Sequence, residues 1–253
     1  MIGLTPDVKE RENTACLPLL HKDSDGPSWK QSWHYCSAVG LMSYLQGSSR
    51  PDISMPVHQC ARFCNDPKLS HERAVRRIAK YLSVTSNRGL VYKPIASLGI
   101  QCYVDADFAG SWSKADADNL ENVMSRTGFT IMYAGCPVLW QSKLQTEIAL
   151  STAEAEYIAL SSAMREVIPF MYLLQELSCI FDLHLPKPEV HCKVFEDNQS
   201  CIVIVKSYTF NPREKHIALK HYHFRTCAKE GKLHILSKTS EEQTADILIK
   251  QTK

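Results

Sequence analysis

The 253-residue sequence lacks the features that define several protein classes. No apolar run approaches the ~20 residues that a transmembrane helix needs, so we expect no membrane partner. The first residues are polar and contain no apolar core of a secretory signal peptide, which favours an intracellular protein. There is also little net charge, because 29 Lys and Arg residues nearly balance 27 Asp and Glu residues.

The ten cysteines lack the paired spacing of a zinc or redox motif. They are scattered through apolar stretches, which predicts reduced, buried side chains that act as small hydrophobic residues. The tightest cluster contains His58, Cys60 and Cys64. A zinc site there would need a fourth ligand at suitable spacing, and none is evident, so we favour packing within a helix.

The hydrophobic pattern changes along the chain. Residues 1–31 are rich in polar and turn-forming residues and predict a flexible leader. Helical spacing then continues to about residue 83, with Ser70 as the expected cap of the third helix. Near 94–98 the helical period gives way to alternation, and this change predicts a domain boundary. The predicted helices of the first part lie near 33–46, 57–65 and 71–83.

The second part predicts an α/β fold with a mixed sheet. Strands are expected at "GLVYKP", "GIQCYVDADFAG", "TGFTIMYAG" and "CPVLWQSK", with a hairpin at "AGCP" and a loop over 111–126. Antiparallel strands followed by strands that are entered through helices give a mixed sheet with helices packed on it. The later elements are predicted as helices near 152–179, 198–207, 219–229 and 241–250, and strands near 189–196 and 232–237.

Two aspartates are expected at the same edge of this sheet. Asp105 lies near the end of the "YVDADFAG" strand, and Asp197 follows the strand that ends "KVFE". If these strands are parallel neighbours, their carboxyl ends meet where ligand sites gather in α/β sheets. Two carboxylates held close together need a cation or a proton between them, so a divalent metal site is reasonable. Taken singly, Asp105 could be an exposed strand-end residue and Asp197 a helix cap.

The helix that opens "STAEAEYIAL" offers two glutamates. Ser151 and Glu154 have the spacing of a capping box, which gives Glu154 a structural role. Glu156 instead continues to Leu160, Ala163 and Val167 on the inward face, where a carboxylate needs a partner. We therefore predict that Glu156 serves the site. Asp246, one turn into the last helix, is the fourth candidate, although it could equally form a surface pair with Lys250.

The sequence resembles the C-terminal part of the Pol polyprotein of copia-type LTR retrotransposons. The resemblance is carried in order by "VHQCARFCNDPKLSHERAVRRIAKYL", "YVDADFAG", "SRTGFTIMYAGCPVLWQSKLQ", "ALSTAEAEYIAL", "EDNQS", "KHIALKHYHFR" and "EEQTADILIK". It implies a helical reverse-transcriptase thumb or connection tail over 32–97 and a ribonuclease H domain over 98–253. The fold implied is ribonuclease H-like, with a five-stranded mixed sheet flanked by helices.

The resemblance also implies a chemistry. Asp105, Glu156, Asp197 and Asp246 map onto four family carboxylates that bind two Mg²⁺ or Mn²⁺ ions. The implied reaction is hydrolysis of the RNA strand of an RNA–DNA hybrid, within a larger reverse transcriptase and Pol polyprotein. The implied location is the cytoplasm, inside a virus-like particle, or the nucleus. The polymerase motif of the "YVDD" type is absent from the sequence, so this chain is not expected to polymerise DNA alone.

Basic and histidine side chains complete the prediction. Candidate nucleic-acid contacts are Lys143, Lys215, Lys220 and Arg225, since local basic density binds phosphates even in a neutral chain. His216 and His223 are candidate proton shuttles, because histidine titrates near neutral pH. Two alternatives stay open: an inactive remnant that only binds nucleic acid, which Leu144 in place of a family lysine favours, and an integrase-like nuclease that cuts duplex DNA.

Overall fold

The computed structural model describes residues 15, 19–29, 33–110, 112, 120–181, 190–207 and 222–249. The chain divides into two compact units, one over residues 1–90 and the other over 91–249. Each unit has a hydrophobic cluster of its own. The assignment of residues 32–97 to a polymerase tail and 98–253 to a ribonuclease H domain stays a prediction.

The first unit is helical. Its most buried side chains include Ile53, Val75 and Ile78, each 0% exposed, and they hold the helices together. The prediction of Ser70 as a helix cap is wrong: Lys68 is the cap, and the Ser70 hydroxyl donates to Asp23 instead. The elements are α1 (Tyr35–Ser48), a 3₁₀ turn (Pro51–Ile53), α2 (Ser54–Ala61) and α3 (Leu69–Val84).

Most of the described cysteines pack as predicted, but the prediction of burial is wrong for Cys36 and Cys179, which are exposed. All nine cysteines in the described part of the chain are free thiols, and Cys60 is 1% exposed. The carbonyl of Cys60 accepts a hydrogen bond from the Tyr35 hydroxyl at 2.9 Å. Within the described residues no three ligand side chains converge around His58 and Cys64. The packing interpretation therefore accounts for this cluster.

The second unit contains one sheet and its helices. Its strands are β1 (Ile100–Asp107), β2 (Arg126–Tyr133), β3 (Cys136–Leu144), β4 (Cys192–Glu196) and β5 (Leu233–Ser237). Its helices are α4 (Leu120–Val123), α5 (Thr152–Ile180), α6 (Gln199–Lys206), α7 (Arg225–Lys229) and α8 (Asp246–Ile249). Short 3₁₀ turns cover Ala96–Leu98, Tyr222–Phe224 and Ser240–Glu242.

The strand order is β3-β2-β1-β4-β5. The β1–β2 and β2–β3 pairs are antiparallel, whereas β1–β4 and β4–β5 are parallel. The β2–β3 hairpin turns at Ala134 and Gly135, both at positive φ (51° and 77°), which suits the twist of the flanking strands. The predicted α/β class, with a five-stranded mixed sheet flanked by helices, is confirmed.

The core of this unit lies between the sheet and α5. Val104 on β1, Leu160 on α5 and Val194 on β4 are each 0% exposed and belong to one cluster. Alternation along each strand turns every second residue to this face, so the next residues point to the opposite face or to the strand ends. On the opposite face, α8 packs on β2.

Three predicted elements are wrong. Residues 89–94 form no strand, because the apolar side chains of Val91 and Tyr92 are 72% and 57% exposed and so have no core to pack against. The region predicted as a loop over 111–126 contains α4 and the first residue of β2. The last predicted helix is broken, since Gln243 is extended (ψ 102°) and separates a 3₁₀ turn from α8.

In the portion of the chain that the structure describes, no helix combines the length and apolar character that crossing a bilayer demands.

Candidate metal centre

Parallel pairing of β1 and β4 aligns the first two acids. Tyr103 lies opposite Phe195, so the same register carried two residues further places Asp105 beside Asp197. Asp105 is 2% exposed and follows Val104, whose side chain faces the α5 core. The strands that carry Asp105 and Asp197 are therefore parallel neighbours, as the sequence analysis assumed. The sheet edge at which ligands gather in α/β folds is the edge that carries these carboxylates.

The start of α5 brings the third acid. Ser151 caps the helix by accepting from the Glu154 N–H at 3.2 Å, and a Glu154 carboxylate oxygen accepts from the Leu150 N–H at 2.8 Å. Glu154 is thus occupied with the helix start, as predicted. Gln145 fixes the same turn by donating to the Ala155 carbonyl at 2.8 Å. One residue later, Glu156 is 6% exposed and points toward the strand ends.

The three acids converge. One carboxylate oxygen each from Asp105, Glu156 and Asp197 lies within 4.8 Å of the others. Two unit charges at such a distance repel by roughly 3 kcal/mol at an effective dielectric of about 20. Burial, followed by the charges of Glu196, Asp105 and Asp197, raises the pKa of Glu156 to about 10. An arrangement that raises a carboxyl pKa this far favours a bound proton or a bound cation.

Asp197 is not the helix cap that it could have been. The cap of α6 is Asn198, whose side-chain oxygen accepts from the Cys201 N–H at 3.0 Å. The Ser240 hydroxyl donates to the second carboxylate oxygen of Asp197 at 2.6 Å. This leaves Asp197 half-buried at the strand end, oriented by Ser240 and close to Asp105 and Glu156.

Sequence reasoning missed a further buried acid, Glu196. It is the last residue of β4 and is 0% exposed. Alternation along "CKVFE" could have shown this, because Cys192, Val194 and Glu196 share the inward face. Burial raises the pKa of Glu196 well above its usual range, and the charges of Asp197 and Asp105 add to that rise. Four carboxyl groups therefore occupy one corner of the sheet.

Asp246 is placed differently from the prediction. It is the first residue of α8 rather than one turn inside a helix, and its N–H donates to the Gln243 carbonyl at 3.1 Å. It is half-buried and is not a member of the group of three oxygens within 4.8 Å. The structure thus brings together three of the four predicted acids, and the role of Asp246 stays a prediction.

Two contacts hold the Asp246 segment on the sheet. The Gln243 side-chain amide donates to the Val104 carbonyl at 2.8 Å and approaches the Phe195 carbonyl at 3.4 Å, just before the acids of β1 and β4. Gly128, which pairs with Asp105, has no side chain, and α8 fills that space: an added Cβ would lie 2.5 Å from Ile249 Cγ2. Gln243 and Gly128 are positioning residues that the sequence patterns did not reveal.

The predicted basic contacts divide into three cases. Lys143 is exposed on the edge strand β3, in the row of Thr127 and Ala106, which puts its Cα about 10 Å from β1 at two strand spacings. Arg225 is half-buried and donates to the Ile204 carbonyl, and its role as a nucleic-acid contact stays a prediction. Lys215 and Lys220 lie outside the described residues.

The two candidate shuttle histidines also differ. His216 lies outside the described residues. His223 is exposed beside Phe224, and partial burial followed by the positive charge of Arg165 lowers its pKa. A lower pKa reduces its protonated fraction at neutral pH. Its function as a proton shuttle stays a prediction.

An open cavity of about 320 Å³ adjoins Asp197. Lys238 lines it, with its ammonium nitrogen 4.9 Å from the centre of the Tyr103 ring and 4.8 Å from that of Phe195. These rings stack on each other at 4.8 Å. A positive charge and hydroxyl groups beside the acids suit a phosphate group. The remaining lining residues are Gln199, Ser237, Thr239 and Ser240.

The residues present fit a divalent cation of the Mg²⁺ type. The clustered donor atoms are carboxylate oxygens, which hard cations prefer. A second carboxylate oxygen of Glu156 is buried with no hydrogen-bond partner in the described part of the chain. A buried carboxylate oxygen without a partner is costly, and a bound cation removes that cost. Asp105, Glu156 and Asp197 are the residues that would hold it.

Comparison with known proteins finds similarity to transposon proteins. It is 35% identical over 216 residues to the retrovirus-related Pol polyprotein from transposon TNT 1-94 of Nicotiana tabacum, which covers 85% of this chain and 15% of that protein. It is 31% identical over 216 residues to the Pol polyprotein from transposon RE1 of Arabidopsis thaliana, 14% of which is covered. Over 85% of its length, the chain is therefore similar to a part of retrovirus-related Pol polyproteins from plant transposons. It spans about one seventh of the length of these relatives.

Among solved structures, a ribonuclease H1 isolated from compost (LC11) is similar to this Pol-related chain at 18% identity. The match covers 60% of this chain and 93% of that protein, with a TM-score of 0.42. No family model matches the chain.

Proposed function

We propose that this chain carries the ribonuclease H activity of a copia-type retrotransposon Pol polyprotein, which hydrolyses the RNA strand of an RNA–DNA hybrid during reverse transcription. The observation that supports this best is the convergence of Asp105, Glu156 and Asp197 within 4.8 Å at the carboxyl ends of parallel strands. The proposed cofactor is Mg²⁺ or Mn²⁺, as two ions. The proposed place of action is the cytoplasm, inside a virus-like particle, or the nucleus.

The protein side chains have separate tasks in this reaction. Divalent cations, when bound, would supply positive charge to the phosphate oxygens and make a bound water more acidic. Asp105 and Asp197 hold fixed positions on neighbouring strand ends, and Glu156 reaches them from the helix. Ser240 orients Asp197 through its hydroxyl. Asp246 is proposed as the fourth carboxylate, held nearby by Gln243 and the α8 seat on Gly128.

Substrate contacts are proposed on both sides of the acids. Lys143 lies on the β3 side and Lys238 on the β4–β5 side, so positive charges flank the carboxylates. Two such charges suit the sugar-phosphate backbones of a duplex. Discrimination for RNA is expected through the 2′-hydroxyl across the minor groove. The rest of the reverse transcriptase is the proposed protein partner.

A remnant that only binds nucleic acid is the second candidate. Leu144, at the end of β3, stands where the copia-type pattern has a lysine, and Asp246 lies outside the group of three acids. This candidate predicts hybrid binding that weakens steeply with salt, without turnover in metal. An integrase-like nuclease would instead cut duplex DNA.

The test is cleavage of a hybrid whose RNA strand carries a 5′ fluorophore, with Mg²⁺, Mn²⁺ or EDTA. We expect metal-dependent RNA cleavage by the full chain and at least a hundredfold loss in Asp105→Asn. Glu166→Gln, which removes an exposed carboxylate on α5, is the matched control and should cleave normally. Equal, metal-independent cleavage rates for the wild type and Asp105→Asn would refute the proposed ribonuclease H activity. Hybrid binding without cleavage would support the remnant.

A further inference from the structure

Glu196 occupies an unusual place for an acid. It ends β4 at 0% exposure, on the face that Cys192 and Val194 share with the α5 core. Acidic residues are almost never fully buried unless they are paired. A hydrophobic residue would satisfy the packing needs of this position, so the packing of β4 does not account for a carboxylate here.

The two carboxylate oxygens of Glu196 differ in their hydrogen bonding. One oxygen accepts from the Asn198 N–H at 3.2 Å, which holds the turn that carries Asp197. The other oxygen is buried and has no hydrogen-bond partner within the described ranges. Glu156 has a buried oxygen in the same condition. Two such acceptors next to one acidic cluster indicate that a positive charge completes the site.

The position of Glu196 separates it from the direct ligands. It is not one of the three residues whose oxygens lie within 4.8 Å of one another. Its charge nevertheless reaches Glu156, whose pKa it raises after burial, and the charges of Asp197 and Asp105 in turn raise the pKa of Glu196. Glu196 therefore lies beside the direct ligands, since it precedes Asp197 in the chain and accepts a hydrogen bond from the turn that carries Asp197.

We propose that Glu196 is a positioning residue of the cation site, which strengthens divalent-cation binding through its buried charge and through its hold on the Asp197 turn. The inference rests on the proposed function, because it concerns the same site. A bound cation favours the ionised form of Glu196, and a buried negative charge near the ion acts in a low dielectric and is weakly screened. Its loss should therefore weaken cation binding even though no direct ligand is removed.

The test measures Mn²⁺ binding to the full chain by calorimetry at pH 7.5, without substrate. Glu196→Gln keeps an oxygen that can accept from the Asn198 N–H and removes only the charge. We expect its Kd for Mn²⁺ to rise about tenfold, which corresponds to about 1.4 kcal/mol. Glu196→Asp, which keeps the charge, should bind within about threefold of the wild type, and the exposed control Glu166→Gln should be unchanged.

A second readout separates this role from a structural one. In EDTA, Glu196→Gln should melt at or above the wild-type temperature, because Gln keeps an acceptor for the Asn198 N–H and brings no charge to the acidic cluster. In cleavage assays, its Mg²⁺ requirement should rise while kcat at saturating Mg²⁺ stays within about twofold. Wild-type Mn²⁺ affinity in Glu196→Gln, equal losses in the Asp and Gln variants, or a lower melting temperature in EDTA would each overturn the inference. Absence of Mn²⁺ binding by the wild type would overturn the proposed function as well.

Discussion

Replacing Glu156 by Gln should make the metal-free protein more stable relative to the wild type as the pH rises. The pKa of Glu156 is raised to about 10 in the folded chain, from an ordinary value of 4.5, first by burial and then by the neighbouring acids. A raised pKa means that the folded state holds a proton that the unfolded state has released. The stability contributed by Glu156 is therefore complete below pH 4.5 and is lost as the pH rises toward 10.

The size of this effect follows from the single proton that Glu156 holds in the folded state and releases in the unfolded state. Between those two pH values the free energy of unfolding falls by about 1.4 kcal/mol per pH unit. From pH 5 to pH 7 the wild type should thus lose about 3 kcal/mol relative to Glu156→Gln, which has no proton to release. Saturating Mn²⁺ at pH 7 should reverse the order, because binding to the folded state alone stabilises it.

The assay is urea unfolding in EDTA at pH 5, 6 and 7, followed by hydrogen exchange of peptides from β1 and α5. Those peptides report on the second unit separately from the first. Glu166→Gln, an exposed change on the same helix, is the control and should follow the wild type. A difference between the wild type and Glu156→Gln that stays constant from pH 5 to pH 7 would refute the reasoning.

Two substitutions test how the Asp246 segment is held. Gly128→Ala places a Cβ 2.5 Å from Ile249 Cγ2 and 3.0 Å from Leu248 Cβ, so α8 must move. We expect this variant to lose about 1–3 kcal/mol of stability and about tenfold of its hybrid cleavage rate. The control Gly40→Ala, which has open space around it, should cleave normally. Gln243→Ala removes the donor to the Val104 and Phe195 carbonyls. It should lower the free energy of unfolding by about 1–3 kcal/mol and speed hydrogen exchange at the carboxyl end of β1. Unchanged exchange at that strand end would contradict this prediction.

The sheet and its acids Asp105 and Asp197 could be predicted because the alternation of apolar and polar residues along a strand is a local signal. Alternation in "GIQCYVDADFAG" and "TGFTIMYAG" predicted β1 and β2, and the parallel pairing of β1 with β4, which the sequence analysis assumed, is present in the structure. The choice of Glu156 over Glu154 rested on the capping box and the inward face of one helix. The structure shows that Glu154 accepts a hydrogen bond from the Leu150 N–H at the helix start and that Glu156 is buried.

The remaining features depend on contacts that no local pattern contains. "GLVYKP" alternates like a strand, yet its apolar side chains Val91 and Tyr92 are 72% and 57% exposed. The last helix was predicted as continuous, but hydrogen bonding of Gln243 to a carbonyl 139 residues away breaks it. Glu196 follows the inward alternation of β4, but an acid next to the more obvious Asp197 is easily taken for a surface residue.

The central claim is that Asp105, Glu156 and Asp197 form one divalent-cation site. Anomalous diffraction from crystals of the full chain grown with Mn²⁺ tests it most directly. We predict an anomalous peak at coordination distance, about 2.2 Å, from oxygens of these three residues, and its disappearance in Asp105→Asn. Mn²⁺ peaks elsewhere, with none among these three carboxylates at saturating Mn²⁺, would contradict the claim.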